Sequence, residues 1–453
     1  TRLPSKSTGC VERSANAAIA IAGAVATTKS ITYYDTSRGK GDEIANYTYN
    51  CVFGTTNVKT VTIYYYSSIW DTANNTLVTS DTPMNISMTY RCSSRMDATA
   101  SNGVSTTYYD TSRGKGEEMA NYTYNYILGT ATVKTTSVYF YNSINNYDGY
   151  RANDSRATSD MAMTIVDLLK GSSGAYISRT YYDTRLGKGD EIADYTYNYI
   201  FGTTTIKTTS VFYYYGGVNI YLRGYDLLVT SDTPMCKLEI YKTNSIESIN
   251  GSATNPNLLS ELWYKGAKDE EISDYSFTHA VGNLAITSTT VFFYGSGKAR
   301  AFGLPYNTPL AQINTYNAAF TNIAGAAAGN NAQLKSKTYY SIKDSANVDR
   351  QAGEEYIDYI ETYQLNGSTI YYISMYFYGD PSRIRANSVS ATSNDALYAV
   401  VTFLNTSVDT SMTTDYFKAI NTSINPLRNV TYYKGARQNE KSWFQHAYNT
   451  QAL

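Results

Sequence analysis

The chain is 453 residues long and almost neutral, with 37 Lys and Arg against 38 Asp and Glu, so it lacks the basic footprint of a partner for nucleic acid or an anionic membrane surface. Only 17% of its residues are charged, below the ~25% of ordinary globular proteins, whereas Tyr alone occurs 48 times. The two histidines, His279 and His446, leave little for metal binding or acid–base chemistry, and no Ser–His–Asp or Cys–His set can be assembled from them. We therefore expect a chain that is not an enzyme and takes no cofactor or metal.

Residues 1–27 form a lead-in whose longest apolar run, 17–26, is too short to cross a bilayer. It lacks the charged start and cleavage site of an intact signal peptide, and the chain begins with Thr, which points to a processed N-terminus. No membrane span is expected. The segment NAAI at 16–19 with AGA at 22–24 is echoed at 317–328 (NAAFTNIAGAAA), just before a later repeat, so the lead-in reads as the tail of a partial unit.

From residue 32 the chain reads TYYDTSRGKGDEIANYTYNCVFGTTNVKTVTIYYY and then writes it again. Near-copies start at Thr107 and Thr180, weaker ones at Leu262 and Thr338, and a short sixth at Thr431 (TYYKGARQN). Self-similarity at a spacing of about 75–90 residues is the mark of a tandem-repeat protein. The boundaries are a partial unit at 1–27, then repeats at 28–103, 104–177, 178–258, a divergent 259–335, a divergent 336–427 and a truncated 428–453.

Within the motif, Tyr47, Tyr49, Cys51 and Phe53 alternate with Asn46, Thr48, Asn50 and Val52, the period of a half-buried strand. Residues 190–201 also carry Ile192, Tyr195 and Tyr199 at helical spacing, but that reading exposes Tyr197 and ignores β propensity, so it ranks second. The fifth repeat places Asn366–Gly367 between two such runs, a dipeptide that supplies two positive-φ residues to a tight hairpin turn. The less regular second half of each unit carries LVTSDTPM at 77–84 and 228–235 and the reduced ATSDMAM at 157–163, followed by alternating apolar residues such as Ile86, Met88 and Tyr90. A strand after this turn brings the count to about four per repeat. The polar segments 67–76, 142–156, 216–225 and 379–390 read as loops, and 296–333 as the longest departure from the frame.

An all-β chain of four-stranded antiparallel repeats can stack as a linear array or close into a β-propeller. We expect the array, because the partial units at the two ends together lack a third strand.

The best-kept local motif is the turn between opener and hairpin: Arg38, Lys40, Asp42 and Glu43; Arg113, Lys115, Glu117 and Glu118; Lys188, Asp190 and Glu191. Adjacent carboxylates beside a lysine are too few for Ca²⁺, which wants six to eight oxygens. Glycines around a lysine also lack the strand–helix context of a phosphate loop. The turn is expected to be solvated and to pair locally or with the neighbouring repeat, setting register. Four cysteines, Cys10, Cys51, Cys92 and Cys236, allow two disulfides in three connectivities, and Cys51, where the sister repeats carry Tyr126 and Tyr199, suits a buried thiol or a cross-link equally. Sequons such as Asn46 and Asn121 permit covalent glycans if the chain is secreted. The tyrosine ladders are sheet core or sugar-stacking platforms, the former preferred.

A Tyr-, Thr- and Asn-rich, histidine-poor β-repeat chain built on TYYDTSRGKG and YTYNY resembles the structural proteins of archaeal and bacterial surface layers, sheaths and extracellular filaments. That resemblance implies an extracellular or cell-surface, self-assembling homopolymer joined through β-edges and repeat–repeat contacts. The alternative is a multivalent carbohydrate-binding lectin or adhesin with one site per repeat.

Overall fold

The computed structural model describes residues 30–51, 58–67, 71–127, 129–142, 149–172, 174–249, 255–317, 323, 333–343, 350, 352–379, 383–386, 395–404, 427–435 and 440–448. The lead-in at 1–27, with Cys10, lies outside them, as do Val52 and Phe53. The chain divides into two compact units, Thr1–Ala175 and Tyr176–Leu453, split where the third repeat begins.

In the first unit the strands are β1 (Ser30–Asp35), β2 (Ile44–Cys51), β3 (Val58–Tyr66), β4 (Met84–Tyr90), β5 (Gly103–Asp110), β6 (Met119–Tyr126), β7 (Val133–Tyr141), β8 (Tyr150–Arg151) and β9 (Met163–Lys170). Two single 3₁₀ turns, Arg95–Asp97 and Ala100–Asn102, precede β5. The second unit carries β10 (Tyr176–Asp183), β11 (Ile192–Tyr199), β12 (Ile206–Gly217), β13 (Ile220–Arg223), β14 (Met235–Tyr241), β15 (Leu258–Lys265), β16 (Ile272–His279), β17 (Ile286–Tyr294) and β18 (Leu310–Asn317). It continues with β19 (Leu334–Ser341), β20 (Tyr356–Tyr363), β21 (Ile370–Tyr378), β22 (Ile384–Arg385), β23 (Leu397–Leu404), β24 (Leu427–Lys434) and β25 (Lys441–Ala447). Among the described residues there is no α-helix, and the stretch with helical spacing is strand β11.

Among the described residues every pairing is antiparallel and joins either consecutive strands or, as β7–β9, β12–β14 and β21–β23, the strands on either side of one short strand. In the first unit the sheet continues from one repeat into the next by β4–β5, and in the second by β14–β15, β18–β19 and β23–β24. This rules out the propeller, whose blades would be separate sheets; the fold is an extended array of about four strands per repeat. Three short strands interrupt segments expected to be plain loops. β8, β13 and β22 pair with the ends of β7, β12 and β21. β6 pairs with β7 only as far as Val138, and β8 takes up Phe140 and Tyr141 beyond it. The loop thus doubles back to satisfy backbone groups that the shorter hairpin partner leaves open. The fourth strand of repeat four, β18, lies inside the segment expected to depart from the frame.

One irregularity recurs at every opener. The register slips between Tyr33 and Tyr34, Tyr108 and Tyr109, Tyr181 and Tyr182, Trp263 and Tyr264, Tyr339 and Tyr340, and Tyr432 and Tyr433. Each is a β-bulge that leaves one extra residue on the facing strand and re-aims what precedes it. In the first five repeats the extra residue is Asn46, Asn121, Asp194, Asp274 and Asp358.

The sheet has an aromatic face and a hydroxyl face. On the first, Tyr33, Tyr47 and Tyr49 pack around buried Val61, Ile63 and Ile86, with Tyr33 stacked on Tyr47 at 4.7 Å. The trios Tyr108–Tyr122–Tyr124 and Tyr181–Tyr195–Tyr197 reproduce this geometry. On the second face the Thr32 and Thr48 hydroxyls bond at 2.8 Å, and Thr48 continues to the Tyr64 hydroxyl at 2.8 Å. Thr107, Thr123 and Tyr139 repeat the chain of bonds. On this face too Thr48, Thr123 and Thr196 are buried. Bonding to each other across strands is what makes their burial tolerable.

The Asn366–Gly367 turn differs in type from the expectation. Gly367 N–H donates to Gln364 O at 2.9 Å, so the dipeptide fills the last two positions of the turn, and only Gly367 takes a positive φ.

Candidate functional site: the turn that joins repeats

The turn between opener and hairpin is wound by two glycines. Gly39 and Gly41, with φ of 104° and 95°, hold a conformation that side-chain-bearing residues rarely adopt. Gly114 with Gly116 and Gly187 with Gly189 do the same. The tight double turn aims the arginine to one side and the final glutamate to the other.

Arg38 and Arg113 turn inward onto the loop of their own repeat. Arg113 Nη1 donates to Asp110 Oδ1 at 3.0 Å and to Ala152 O at 2.9 Å. Its Nε and Nη2 reach Ala157 O, and Nη2 also reaches Asp154 O at 2.9 Å. Arg38 pairs with Asp35 and donates to Ala73 O, Asn75 O and Val78 O. The five donors of a guanidinium form a rigid fork, and here they collect loop carbonyls that lie outside the strands. Val78, with Ala73, packs beside Ile44 and Tyr66 under that loop, and Ala157 and Ala152 do likewise beside Met119 and Tyr141.

Repeat three has Leu186 where its sisters have arginine, and Arg185 one place earlier does the work. Arg185 pairs with Asp183 at 2.9 Å and donates to Gly224 O, Tyr225 O and Val229 O. Val229 is the counterpart of Val78. Sequence reasoning did not select Arg185, because it stands out of the aligned column.

A second set of arginines fastens the loops to the bulges. Arg151 donates to Asn121 Oδ1 at 2.6 and 3.0 Å. Arg223 binds Asp194 at 2.8 and 2.9 Å, Arg300 meets Asp274 at 2.7 Å, and Arg385 meets Asp358 at 2.7 Å. Burial pushes the Asp194 carboxyl up, against the pull of Arg223. These arginines were also missed, since they sit in segments of unequal length; the signal available was an Asn or Asp two residues past an apolar one in each of the first five repeats. The Asn46 sequon falls at this position, where the residue is buried and its amide donates to Asn74 Oδ1.

The last acid of the turn faces the preceding repeat. Glu118 accepts from its own Gly116 N at 2.8 Å and from Met84 N, the first residue of β4, at 3.0 Å. Glu271 accepts from Met235 N at 2.9 Å, Glu355 from Gly353 N and Leu310 N at 2.8 and 2.7 Å, and Glu440 from Leu397 N at 2.9 Å. Four repeat boundaries are thus closed by one contact, a carboxylate on the backbone N–H that opens the preceding repeat's last strand. Burial pushes the Glu355 carboxyl up while those N–H groups pull it down. Lys115 also crosses the boundary, donating to Ser80 O. Glu43 and Glu191 accept from Gly41 N and Gly189 N. Lys40, Asp42, Glu117, Lys188 and Asp190 are exposed. Glu440 lies one residue beyond the short sixth copy TYYKGARQN, which ends at Asn439.

Cys51, Cys92 and Cys236 are half-buried free thiols, so no disulfide joins the three described cysteines. Burial pushes all three thiols up, Cys236 to about 11. Among the described residues no three His, Cys, Asp or Glu side chains come together as a metal site, and no helix is long and apolar enough to cross a membrane. The chain matches no model of a known protein family and no curated protein.

Proposed function

We propose that this chain is a non-enzymatic extracellular structural protein that assembles with copies of itself into a filament, sheath or surface layer. The observation that carries this reading is the recurrent boundary contact of Glu118, Glu271, Glu355 and Glu440. It consists of backbone pairing plus one carboxylate, and it accepts partners as different as Met84 and Leu397. A joint that depends so little on side-chain identity suits repeats on different molecules as well as successive repeats of one chain, by strand addition at a sheet edge. The aromatic faces add support. Tyr33, Tyr108 and Tyr181 stack on rings of their own repeat, which leaves less ring surface for a sugar than the lectin alternative needs. Covalent glycans on exposed sequons are compatible with this role.

The test is light scattering after size-exclusion chromatography over a rising concentration series, with negative-stain micrographs of the same samples. Growth into regular filaments or sheets is the expected result. A monomer at every concentration that is retained on a polysaccharide resin would overturn the proposal in favour of the lectin.

A further inference from the structure

The three strands around the joint between repeats four and five carry an unusual polar row. On β18, β19 and β20, Asn314 stands directly opposite Lys337, and Lys337 directly opposite Glu361. Directly opposed residues share a face of the sheet, with Cβ atoms about 4.5–5.5 Å apart, well within the reach of a lysine side chain. Asn314 is 0% and Lys337 6% exposed. The same three positions are Met88, Thr106 and Tyr124 in the first joint and Val401, Val430 and His446 in the last. The joint therefore has no structural need of an amide, an amine and an acid here, and burying them is costly.

The surroundings prepare each group for one reaction. Gln312 Nε2 donates to Asn314 Oδ1 at 2.6 Å, so the carbonyl oxygen already holds a donor of the kind that stabilises charge developing on it. The departing side of the amide, Nδ2, bonds the buried Tyr316 hydroxyl at 3.0 Å. The Tyr339 and Tyr363 hydroxyls donate to Glu361 Oε2 at 3.0 and 2.7 Å and hold the carboxylate in place. Burial lowers the Lys337 ammonium below the usual lysine range, with Lys298 adding to the effect and Glu361 opposing it, which raises the share of neutral, nucleophilic amine.

We infer that Lys337 and Asn314 are the two halves of a self-formed isopeptide cross-link, with Glu361 as the proton carrier. The lone pair of neutral Lys337 Nζ forms a bond to Asn314 Cγ, and the carbonyl pair moves onto Oδ1. When the carbonyl re-forms, the Cγ–Nδ2 bond breaks. Glu361 takes the proton that Nζ sheds, and one proton is returned to Nδ2, which leaves as ammonia. No oxidant, metal or nucleotide is needed. The product ties β18 of repeat four covalently to β19 of repeat five, at a boundary otherwise held by hydrogen bonds. Lys237, at the neighbouring joint, supplies a contrast. It is equally buried but bonds Glu239 at 2.5 Å and faces the rings of Tyr213, Tyr221 and Trp263, with no carboxamide opposite it.

Intact-mass spectrometry of the full chain tests this, followed by peptide mapping. The expected result is a mass lower by one ammonia, with the deficit mapped to a branched peptide joining Lys337 to Asn314. Lys337→Met and Glu361→Gln should each restore the full mass while the chain keeps its β-type circular dichroism, and Lys237→Met should leave the deficit unchanged. Full mass in folded wild-type protein would overturn the inference. So would a deficit that maps to Gln312 or to a succinimide at Asn366, before Gly367.

Discussion

A single guanidinium in the first turn of each early repeat collects loop carbonyls that no strand reaches. Arg113 satisfies Ala152 O, Asp154 O and Ala157 O at once, and its removal strands those carbonyls over the buried Met119–Tyr141 cluster. Repeat three tests whether the geometry or the column matters, because Arg185 serves Val229 O from one position earlier. Arg185→Ser should cost about 1–2 kcal/mol by denaturant titration, the range for partly exposed charge-assisted hydrogen bonds. The double change Arg185→Ser with Leu186→Arg rewrites the turn as its sisters have it and should recover most of that loss. If the double variant is no steadier than the single, the loop is held by something other than the arginine. Glu261 makes a different case at the same scale. Burial raises its carboxyl, the charge of Glu239 adds to the rise, and Lys237 and His279 pull against it. An acid whose folded value is raised destabilises the fold when ionised, so this contribution is worst at neutral pH. It fades as pH falls through the raised value towards the unfolded 4.5. Glu261→Gln should therefore raise the thermal midpoint at pH 7, and its advantage over wild type should shrink on acidification. A constant advantage across that window would mean that Glu261 is not charged in the fold.

At the scale of elements, the parts legible in the sequence are those written by periodicity, and the parts that were not depend on a change of direction. Alternation of Tyr47, Tyr49 and Cys51 against Thr48 and Asn50 identifies β2 because one face must be aromatic and the other must bond to itself. The repeat frame marks every opener, from β1 to β24. The bulge after Tyr33 could not be read, since one extra residue leaves alternation intact on either side and only shifts its phase. Asn46 therefore looked like the start of an alternation, whereas it is the residue the bulge expels and the loop recovers. The turn at 38–43 was legible as a place where repeats meet, but its arginine and glutamate looked alike as surface charges. Their acceptors and donors are backbone groups 34 to 45 positions away in the chain, and sequence does not record where a carbonyl or an N–H points. β8, β13 and β22 were hidden for a related reason. Two to four residues carry no period, and they become strands only because β7, β12 and β21 outrun their partners.

At the scale of each unit, pairing is local in sequence, reaching at most past one short strand, and four repeat boundaries share one kind of joint. Stability in such an array is a sum of repeat terms and nearest-neighbour terms rather than the property of one shared core. The buried clusters agree, since Tyr47, Val61, Ile63, Tyr65 and Ile86 form one and Ile373, Met375, Phe377, Val401 and Phe403 another, with no residue in common. Removing residues 1–103 should therefore leave a chain that still folds. Its far-UV circular dichroism should fall only by the share of the missing strands, and amides of β20 to β23 should keep their hydrogen-exchange protection. Protection in β5 should drop, because what remains of it, from Val104 on, loses β4 along one edge and Glu118 loses Met84 N. A fold closed on itself behaves otherwise, since excising a quarter of the chain opens the core everywhere and removes protection at every distance from the cut. Uniform loss of protection in the shortened chain would show that the repeats are cooperative beyond their neighbours, and the description of this protein as a sum of joints would fail.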